Sequence, residues 1–529
     1  MTFNFSSVIE HYAERHPERE AIIYEGRRLS YGQLHERCEA LACALQECGL
    51  QAGDIVAILL KNCSEFLETI IAVNRLGAVA LPVNWRLVGE ELVYILNHSE
   101  TKLLVSEREF APVVEAVRGR CPALSHVLGV GADVPAGWLV YDELLAAHQG
   151  QHVAAVEVGS DDLHRLMYTS GTTAYPKGVM ISYGNLYWKN IAQITLFGIT
   201  AADRTLIVGP LYHVGGLDLP ATSVLYAGGS VVILRKFEPL ALLETVQRER
   251  VTNMWLPPSM INMLLQAEGI WNYDLSSVRF IIDGGEKMPI PLIQKLLSLF
   301  PQAWFADAYG LTETVSGDTY LDKAKTIEKI GSVGKPCLHL ELRIVDENDR
   351  PLPPRQPGEI VLRGPKVFKG YWKDPEATAT ALRNGWFHTG DIGYLDEEGY
   401  LYIVDRKKDM IISGGENIAS LEVERVLYED PRVLEAAVVG MPHPRWGEVP
   451  VAYVVVKPGQ TVTAEELRAA CQAKLARFKV PHHIFFIEAL PRNPSGKVLK
   501  RELRLRVAED AAATARGGSS SPSQSANPA

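Results

Sequence analysis

The stretch YTSGTTAYPKG, residues 168 to 178, places four hydroxyl side chains (Thr169, Ser170, Thr172, Thr173), two glycines (Gly171, Gly178) and one lysine (Lys177) within eleven consecutive positions. A phosphate carries spread negative charge and several acceptor oxygens, so a site for it needs many short donors and a backbone that can come close. The hydroxyls supply donors, the glycines let main-chain N–H groups face the ligand, and Lys177 adds charge. The stretch reads as a phosphate cradle. It is not the Walker loop, which ends in Gly-Lys-Ser/Thr, because here the lysine precedes the last glycine and no hydroxyl follows it. Taken alone, a polar turn after the strand HRLMY is the competing explanation.

Six further stretches carry residues able to do chemistry: PLYHVGG (210 to 216), DGGEKMP (283 to 289), AYGLTET (308 to 314), WFHTGDIG (386 to 393), DRKKDMIISGGENI (405 to 418) and PRNPSGKVLKRELR (491 to 504). Each has an ordinary explanation by itself. His213 fits a histidine satisfied at a strand end, with no metal-ligand partner at useful spacing. Glu313 fits a surface glutamate after a turn, and Lys497 a solvated lysine in a basic segment shared with Arg492, Lys500, Arg501 and Arg504.

The elements that must position these residues alternate in kind. DIVAILL is a continuous buried-strand run, Ser64 opens a helix with Phe66, Leu67, Ile70 and Ile71 on one face, and AVALPV (78 to 83) is the next strand. Leu92, Ile95 and Leu96 then show helical spacing before KLLVS (102 to 106) returns to strand. This rhythm predicts βαβ units and parallel sheets covered on both faces. It resumes in TLIVGPL, GSVVIL and VRFIIDGGE. After residue 330 short alternating strands with Gly and Pro turns predict a small antiparallel barrel or sheet. Beyond Asp405 the pattern is α+β: Ser420 caps a helix whose first turn carries Glu422 and Glu424, AAVVGM and PVAYVVV read as strands, and Thr463 with Glu466 forms a capping box. The end, GGSSSPSQSANPA, has the composition of a disordered tail.

The whole chain agrees with that reading. Its 529 residues suit more than one domain, and 47% apolar with 22% charged residues is the composition of a globular protein. A formal net charge of -10 gives no general attraction to nucleic acid or to an anionic bilayer, so any nucleotide is held by a local site. The seven cysteines are scattered without a C-x-x-C pair, which predicts free thiols in a reducing compartment. The start lacks the basic-then-apolar order of a signal peptide, and no apolar run has the length of a spanning helix; a cytoplasmic protein is expected.

The seven stretches, in this order from about residue 10 to about residue 505, resemble the acyl-adenylate-forming superfamily of acyl-CoA synthetases, luciferases and peptide-synthetase adenylation domains. The resemblance implies an α/β fold: a large N-terminal domain (1–404) of two doubly wound α/β subdomains plus a small β-barrel, a small mobile α+β domain (405–510) with its hinge at Asp405, and a tail (511–529). It implies ATP, Mg²⁺ and coenzyme A, a small-molecule carboxylic acid substrate, and a two-step reaction in which the carboxylate attacks the α-phosphate and a thiol then captures the acyl-AMP. It also implies roles. Lys497 reaches the carboxylate and α-phosphate as they meet, Glu313 binds Mg²⁺ with Thr169 assisting, and Thr312 contacts the α-phosphate. The cradle residues Thr169, Ser170, Gly171, Thr172, Thr173 and Lys177 hold phosphate; Tyr309 and Gly310 with Gly284, Gly285 and Glu286 line the adenine. Asp391 and Arg406 take the ribose, His213 lines the acyl entrance, and Lys408, Gly414, Gly415 and Asn417 lie on the segment that meets nucleotide or pantetheine. A homodimer is compatible with these readings.

Two positions depart from the family pattern: Ala174 stands where the cradle usually has glycine, and Ala419-Ser420 replaces the usual aromatic-proline pair. The segments around the expected acyl pocket are small and apolar, which favours a hydrophobic acid (fatty, aryl, alicyclic or steroid-derived) over an amino acid. Asp218 is the one nearby acid for an ammonium group, with a loop or helix-start aspartate as its plainer explanation. Two other functions compete: an acyl-AMP ligase loading a carrier protein, and a catalytically silent nucleotide-binding protein, against which the presence of Lys497 and Glu313 speaks.

Overall fold

The computed structural model describes residues 3–87, 89–169, 176–285, 288, 290–407, 409–413, 416–443, 445–492 and 498–516. Two large sheets dominate. In the seven-stranded sheet, strands Leu139–Val140, His126–Val130, Leu103–Glu107, Ile55–Leu59, Val79–Pro82 and Leu163–Thr169 run parallel, and Lys177–Ser182 closes the edge antiparallel to Leu163–Thr169. In the nine-stranded sheet six parallel strands, from Trp304–Tyr309 through Phe280–Gly284, Asn253–Trp255, Arg204–Ile207 and Ser230–Ile233 to Glu20–Tyr24, are flanked by antiparallel edges.

Strand alternation explains how these sheets stack. Val56, Ile58, Ala80 and Val105 of one sheet and Ile22, Val231, Phe280 and Ala306 of the other face one shared core, which also takes Phe5, Ile9, Leu41 and Phe66 from helices. Their sequence neighbours point the other way: Ile55, Ala57, Leu81 and Leu104 into an outer core, and Ile23, Val232, Ile281 and Phe305 into another. Both strand faces are covered, which is why the strands read as unbroken apolar runs. The expected barrel takes the form of a five-stranded antiparallel sheet built from Glu341–Val345, Gly358–Arg363, Leu382–Arg383, Trp386–Leu395 and Leu401–Arg406.

Beyond Asp405 the chain builds two cores of its own on either face of the strands Val433–His443 and Gly447–Val456, drawn from residues 411 to 507. The capping box of Thr463 and Glu466 opens the helix Ala464–Lys474 as expected. Ser420, by contrast, is the first residue of the helix Ser420–Tyr428, and Ala419 holds the cap position without a side-chain bond. The Ser420 N–H and hydroxyl both donate to Asp405 Oδ2 (2.6 and 2.7 Å), a use of that side chain which removes it from capping. Glu424 lies past the first turn and instead accepts the Val438 N–H and pairs with Lys500. The last helix, Lys500–Arg516, runs past the expected start of the tail at residue 511, in keeping with the helix propensity of AEDAAATAR. All seven cysteines are free. Among the described residues no helix is long and apolar enough to cross a membrane.

One buried polar cluster joins the sheets beneath the candidate site. The helix Tyr183–Phe197, started by a Ser182/Asn185 capping box and stopped at Gly198 (φ 57°), carries Lys189 fully inside. The Lys189 ammonium donates to the Asp218 carbonyl (2.6 Å), Thr222 Oγ1 (2.8 Å), Gln193 Oε1 (3.1 Å) and Ser223 Oγ (3.2 Å). Asp218 and Arg165, both without solvent exposure, form an ion pair at 2.5 Å. Asp218 is therefore committed to a structural partner and is not offered to an ammonium-bearing substrate.

Removing one member of a buried pair leaves the other charge uncompensated, at a cost of about 3–5 kcal/mol. Asp218→Ala is expected to lower the thermal unfolding temperature by calorimetry far more than an exposed control such as Glu341→Ala. The Lys189 ammonium is pushed down to about 7 by burial, whereas an unfolded lysine titrates near ~10.4. Between those values the unfolded chain holds a proton that the folded chain lacks, so this group makes stability rise with pH across the window and is most unfavourable below it. Denaturant unfolding of Lys189→Met between pH 7 and pH 9 is expected to show a smaller rise than the parent protein.

Candidate active site

The antiparallel register of Leu163–Thr169 with Lys177–Ser182 sets Thr169 directly opposite Lys177, so both ends of the cradle emerge at one sheet edge. Ser170, Gly171, Thr172, Thr173 and the divergent Ala174 lie outside the described residues. The segment 369–372 continues that edge: Met180 N–H donates to Gly370 O (3.0 Å), Lys369 N–H to Met180 O (3.0 Å) and Trp372 N–H to Gly178 O (2.7 Å). Gly370 has φ 126°, and a Cβ there would sit 2.6 Å from Thr378 Cγ2, so the tight approach requires glycine. This path brings the Tyr371 ring centroid to 4.9 Å from the Lys177 ammonium and its hydroxyl within 2.9 Å of Glu313 Oε1, to which it donates.

Glu313 sits on the turn Thr312–Thr314, just past the strand Trp304–Tyr309. The turn is pinched at its base, because a Cβ on Gly310 would lie 2.3 Å from Gly317 N. Asp318 N–H to Tyr309 O (2.7 Å) and Ser316 N–H to Leu311 O (2.8 Å) close it, leaving Thr312 and Glu313 at its tip. Burial raises the Glu313 carboxyl above the usual range; the Tyr371 hydroxyl opposes that shift, Asp391 adds to it, and Arg406 opposes it.

A second group lies beside the first. Tyr309 donates its hydroxyl to Asp391 Oδ2 (2.7 Å), and Arg406 Nε stands 3.5 Å from Asp391 Oδ1. Asp391 and Arg406 face each other across paired strands, and Thr389 Oγ1 accepts the Asp391 N–H (3.1 Å). Burial and the neighbouring Asp391 raise the Tyr309 phenol far above its ordinary value. Gly284 aligns with Ala308 in the parallel register, with a virtual Cβ only 2.6 Å from Ala308 O, so the DGG and AYG main chains run side by side. Gly285 follows in the left-handed region (φ 98°) with open space around it; Glu286 lies outside the described residues.

His213 precedes the short helix Val214–Leu217, and its Nδ1 accepts the Gly215 N–H at 3.0 Å, which assigns the ring proton of the neutral form to Nε2. Its ring stacks on Trp255 at 5.9 Å. Trp255 also explains two glycines, since a Cβ on Gly209 or Gly215 would fall 2.4 or 2.5 Å from its ring. Lys408, Gly414, Gly415 and Lys497 lie outside the described residues, and Asn417 is described only as part of the strand Glu416–Ile418. The flanks of Lys497, Arg492 and Val498, pair with each other.

The geometry thus gathers Thr169, Lys177, Thr312 and Glu313 in one group and Tyr309, Asp391, Arg406, Gly284 and Gly285 in an adjoining one. Sequence reasoning missed Tyr371, Thr389 and Trp255. The FKGYW stretch signals a Gly-aromatic turn and nothing that places a phenol on a carboxylate.

Comparison with known proteins accounts for this arrangement. The AMP-binding enzyme profile matches residues 9–372, and the AMP-binding enzyme C-terminal domain profile matches residues 422–497. Feruloyl-CoA synthase of an Amycolatopsis species is 40% identical over 93% of this chain and 97% of its own. Indoleacetate–CoA ligase of Aromatoleum aromaticum is 39% identical over 95% of this chain and 98% of its own. The structure of o-succinylbenzoate CoA synthetase from Bacillus subtilis with its acyl-adenylate intermediate superimposes with a TM-score of 0.83 at 34% identity, covering 95% of this chain and 98% of that one; the same enzyme is also known with ATP and magnesium ion. A strand pair carrying Thr169 and Lys177, a carboxylate-bearing turn and a Tyr-Asp-Arg group, arrayed along a chain that these profiles and relatives match nearly end to end, belong to a member of the AMP-binding enzyme family.

Proposed function

We propose that this chain is an ATP-dependent, AMP-forming acyl-CoA ligase whose substrate is a hydrophobic aryl carboxylic acid. The observation that carries the reading is the meeting of Lys177 and Glu313 on one tyrosine, with Thr169 paired opposite Lys177, beside the Tyr309–Asp391–Arg406 group. The relatives named for feruloyl, indoleacetate and o-succinylbenzoate substrates support an aryl acid, as does the apolar wall near His213 and Trp255.

The adenylation step brings two anions together, so the chain must supply positive charge and alignment more than proton transfer. Lys177 faces the phosphates from the cradle, and Arg406 and Asp391 fix the ribose. Tyr309 presents its ring to the base, with the Gly284–Gly285 main chain opposite. Thr312 donates toward the α-phosphate. Glu313 and Thr169 are hard oxygen donors; one carboxylate and one hydroxyl completed by substrate phosphates is the sparse protein ligation Mg²⁺ favours. When bound, Mg²⁺ neutralises phosphate charge. Lys497 completes the site from the C-terminal lobe, and His213 shapes the acyl entrance. Because Lys497 occupies the carbonyl that the thiol later attacks, the lobe rotates about Asp405 between steps and brings the segment of Gly414, Gly415 and Asn417 to the pantetheine.

A coupled assay of CoA consumption and AMP release over a panel of cinnamic, benzoic, indolyl and medium-chain fatty acids is expected to give the highest kcat/KM with an aryl acid. Pyrophosphate release without thioester would overturn the ligase reading in favour of carrier loading. Lys497→Ala is expected to slow acyl-AMP formation by about 100-fold or more while thiolysis of supplied acyl-AMP stays within about twofold of the parent; equal loss in both steps would refute the division of labour between the lobes.

A further inference from the structure

Tyr371 belongs to none of the roles above, yet among the described residues its side chain touches both Lys177 and Glu313. Its ring lies under the Lys177 ammonium at 4.9 Å, and its hydroxyl donates to Glu313 Oε1 at 2.9 Å. The backbone holds it there from three directions. Trp372 N–H donates to Gly178 O (2.7 Å), Phe368 N–H donates to Glu313 O (2.7 Å), and Tyr371 N–H donates to Thr378 Oγ1 (2.9 Å). The Phe368 ring packs on the Tyr371 ring at 4.9 Å.

We infer that Tyr371 is a positioning residue for adenylation: its hydroxyl occupies Glu313 Oε1 and so turns Oε2 toward the metal-bound triphosphate, while its ring holds the Lys177 ammonium over the same phosphates. A carboxylate with both oxygens unbound rotates about its last torsion and can swing to pair with Lys177 directly, which would neutralise the two groups that must act on opposite charges of the bound Mg·ATP. One oxygen tied to a phenol removes that freedom, and the aromatic face offers the ammonium an attraction that leaves its protons free for phosphate. The segment 368–372 thereby couples the turn bearing Glu313 to the strand bearing Lys177. This inference rests on the reading of Glu313 as the Mg²⁺ ligand.

The test uses the full-length enzyme and the variants Tyr371→Phe, Tyr371→Leu and Glu313→Gln. Calorimetric titration with ATP, with and without Mg²⁺, reads the metal-dependent gain in affinity independently of turnover; AMP binding without metal and thiolysis of supplied acyl-AMP report whether the fold and the second step survive. Tyr371→Phe keeps the ring and is expected to cut the Mg²⁺-dependent gain in ATP affinity, and to raise the Mg²⁺ concentration for half-maximal pyrophosphate exchange, by about tenfold, as fits loss of a hydrogen bond to a charged group. AMP binding and thiolysis are expected to stay within about twofold. Tyr371→Leu, which also removes the ring from Lys177, is expected to weaken ATP binding further even without Mg²⁺. A Tyr371→Phe enzyme with the parent's metal dependence, or one that loses thiolysis and adenylation alike, overturns the inference. If Glu313→Gln itself retains the parent's metal dependence, the assignment of Glu313 falls, and with it the basis of the inference, whatever Tyr371 does.

Discussion

Repulsion between a carboxylate and a triphosphate is the constraint to which the rest of this architecture answers. The chain has a net charge of -10, so on the proposed reading it meets that constraint locally, with a few cations held in fixed places. Lys177 is held by an aromatic face and Arg406 by Asp391, two ways of fixing a positive charge without cancelling it outright. Glu313 is the counterpart: a carboxylate kept in a partly desolvated turn, where its raised proton affinity reflects the same burial that sharpens every charge interaction around it.

The interior behind these groups is also ionic, and its charges are paired, although the Arg165 Nε and Nη1 atoms are buried without a hydrogen bond. Arg165 pairs with Asp218, Lys366 pairs with Asp318 at 2.9 Å and donates to the Ser316 and Gly317 carbonyls, and Lys189 is ringed by four oxygens. Lys366 thereby reaches from the segment just past the strand Gly358–Arg363 to the loop that closes the Glu313 turn. A network satisfied only in part fixes its geometry less firmly than a fully bonded one. The Glu313 turn is pinned more directly, by the Thr314 hydroxyl donating to Asp318 Oδ2 (2.5 Å).

How much of this was legible in the sequence follows from the range of each interaction. Apolar runs such as DIVAILL and FIID show parallel strands because both faces are buried, and the capping box at Thr463 is local, so both could be read directly. Asp391 and Arg406 were singled out by the family resemblance alone, and their pairing with each other appears only once the strands Trp386–Leu395 and Leu401–Arg406 are seen to form a hairpin. Tyr371 was hidden: its partners, Lys177 and Glu313, stand 194 and 58 positions earlier, and neither spacing carries a periodicity. Ser420 misled for the opposite reason, because a serine before an acidic turn is a good local cap, and only the fold reveals Asp405 as a stronger claimant for its hydroxyl.

That last bond bears on how the two lobes are joined. A proline at position 420, the residue the family pattern leads one to expect, has no N–H and no hydroxyl, and would leave Asp405 Oδ2 without both donors it has here. Lys500 Nζ adds a third element by donating to Ser420 Oγ at 2.5 Å. The Asp405 side chain is thus bonded into the C-terminal lobe, while its main chain still pairs with Ile392 in the antiparallel sheet of the larger one. A rotation at this residue would therefore either break the Ser420 bonds, where the backbone turns after Asp405, or break the strand pairing with Ile392, where it turns before Asp405. The second route leaves two short, buried hydrogen bonds to a carboxylate intact. It has a consequence for the site: Arg406 follows Asp405 in the chain, so a lobe that swung by this path would carry Arg406 with it and alter its contact and strand pairing with Asp391.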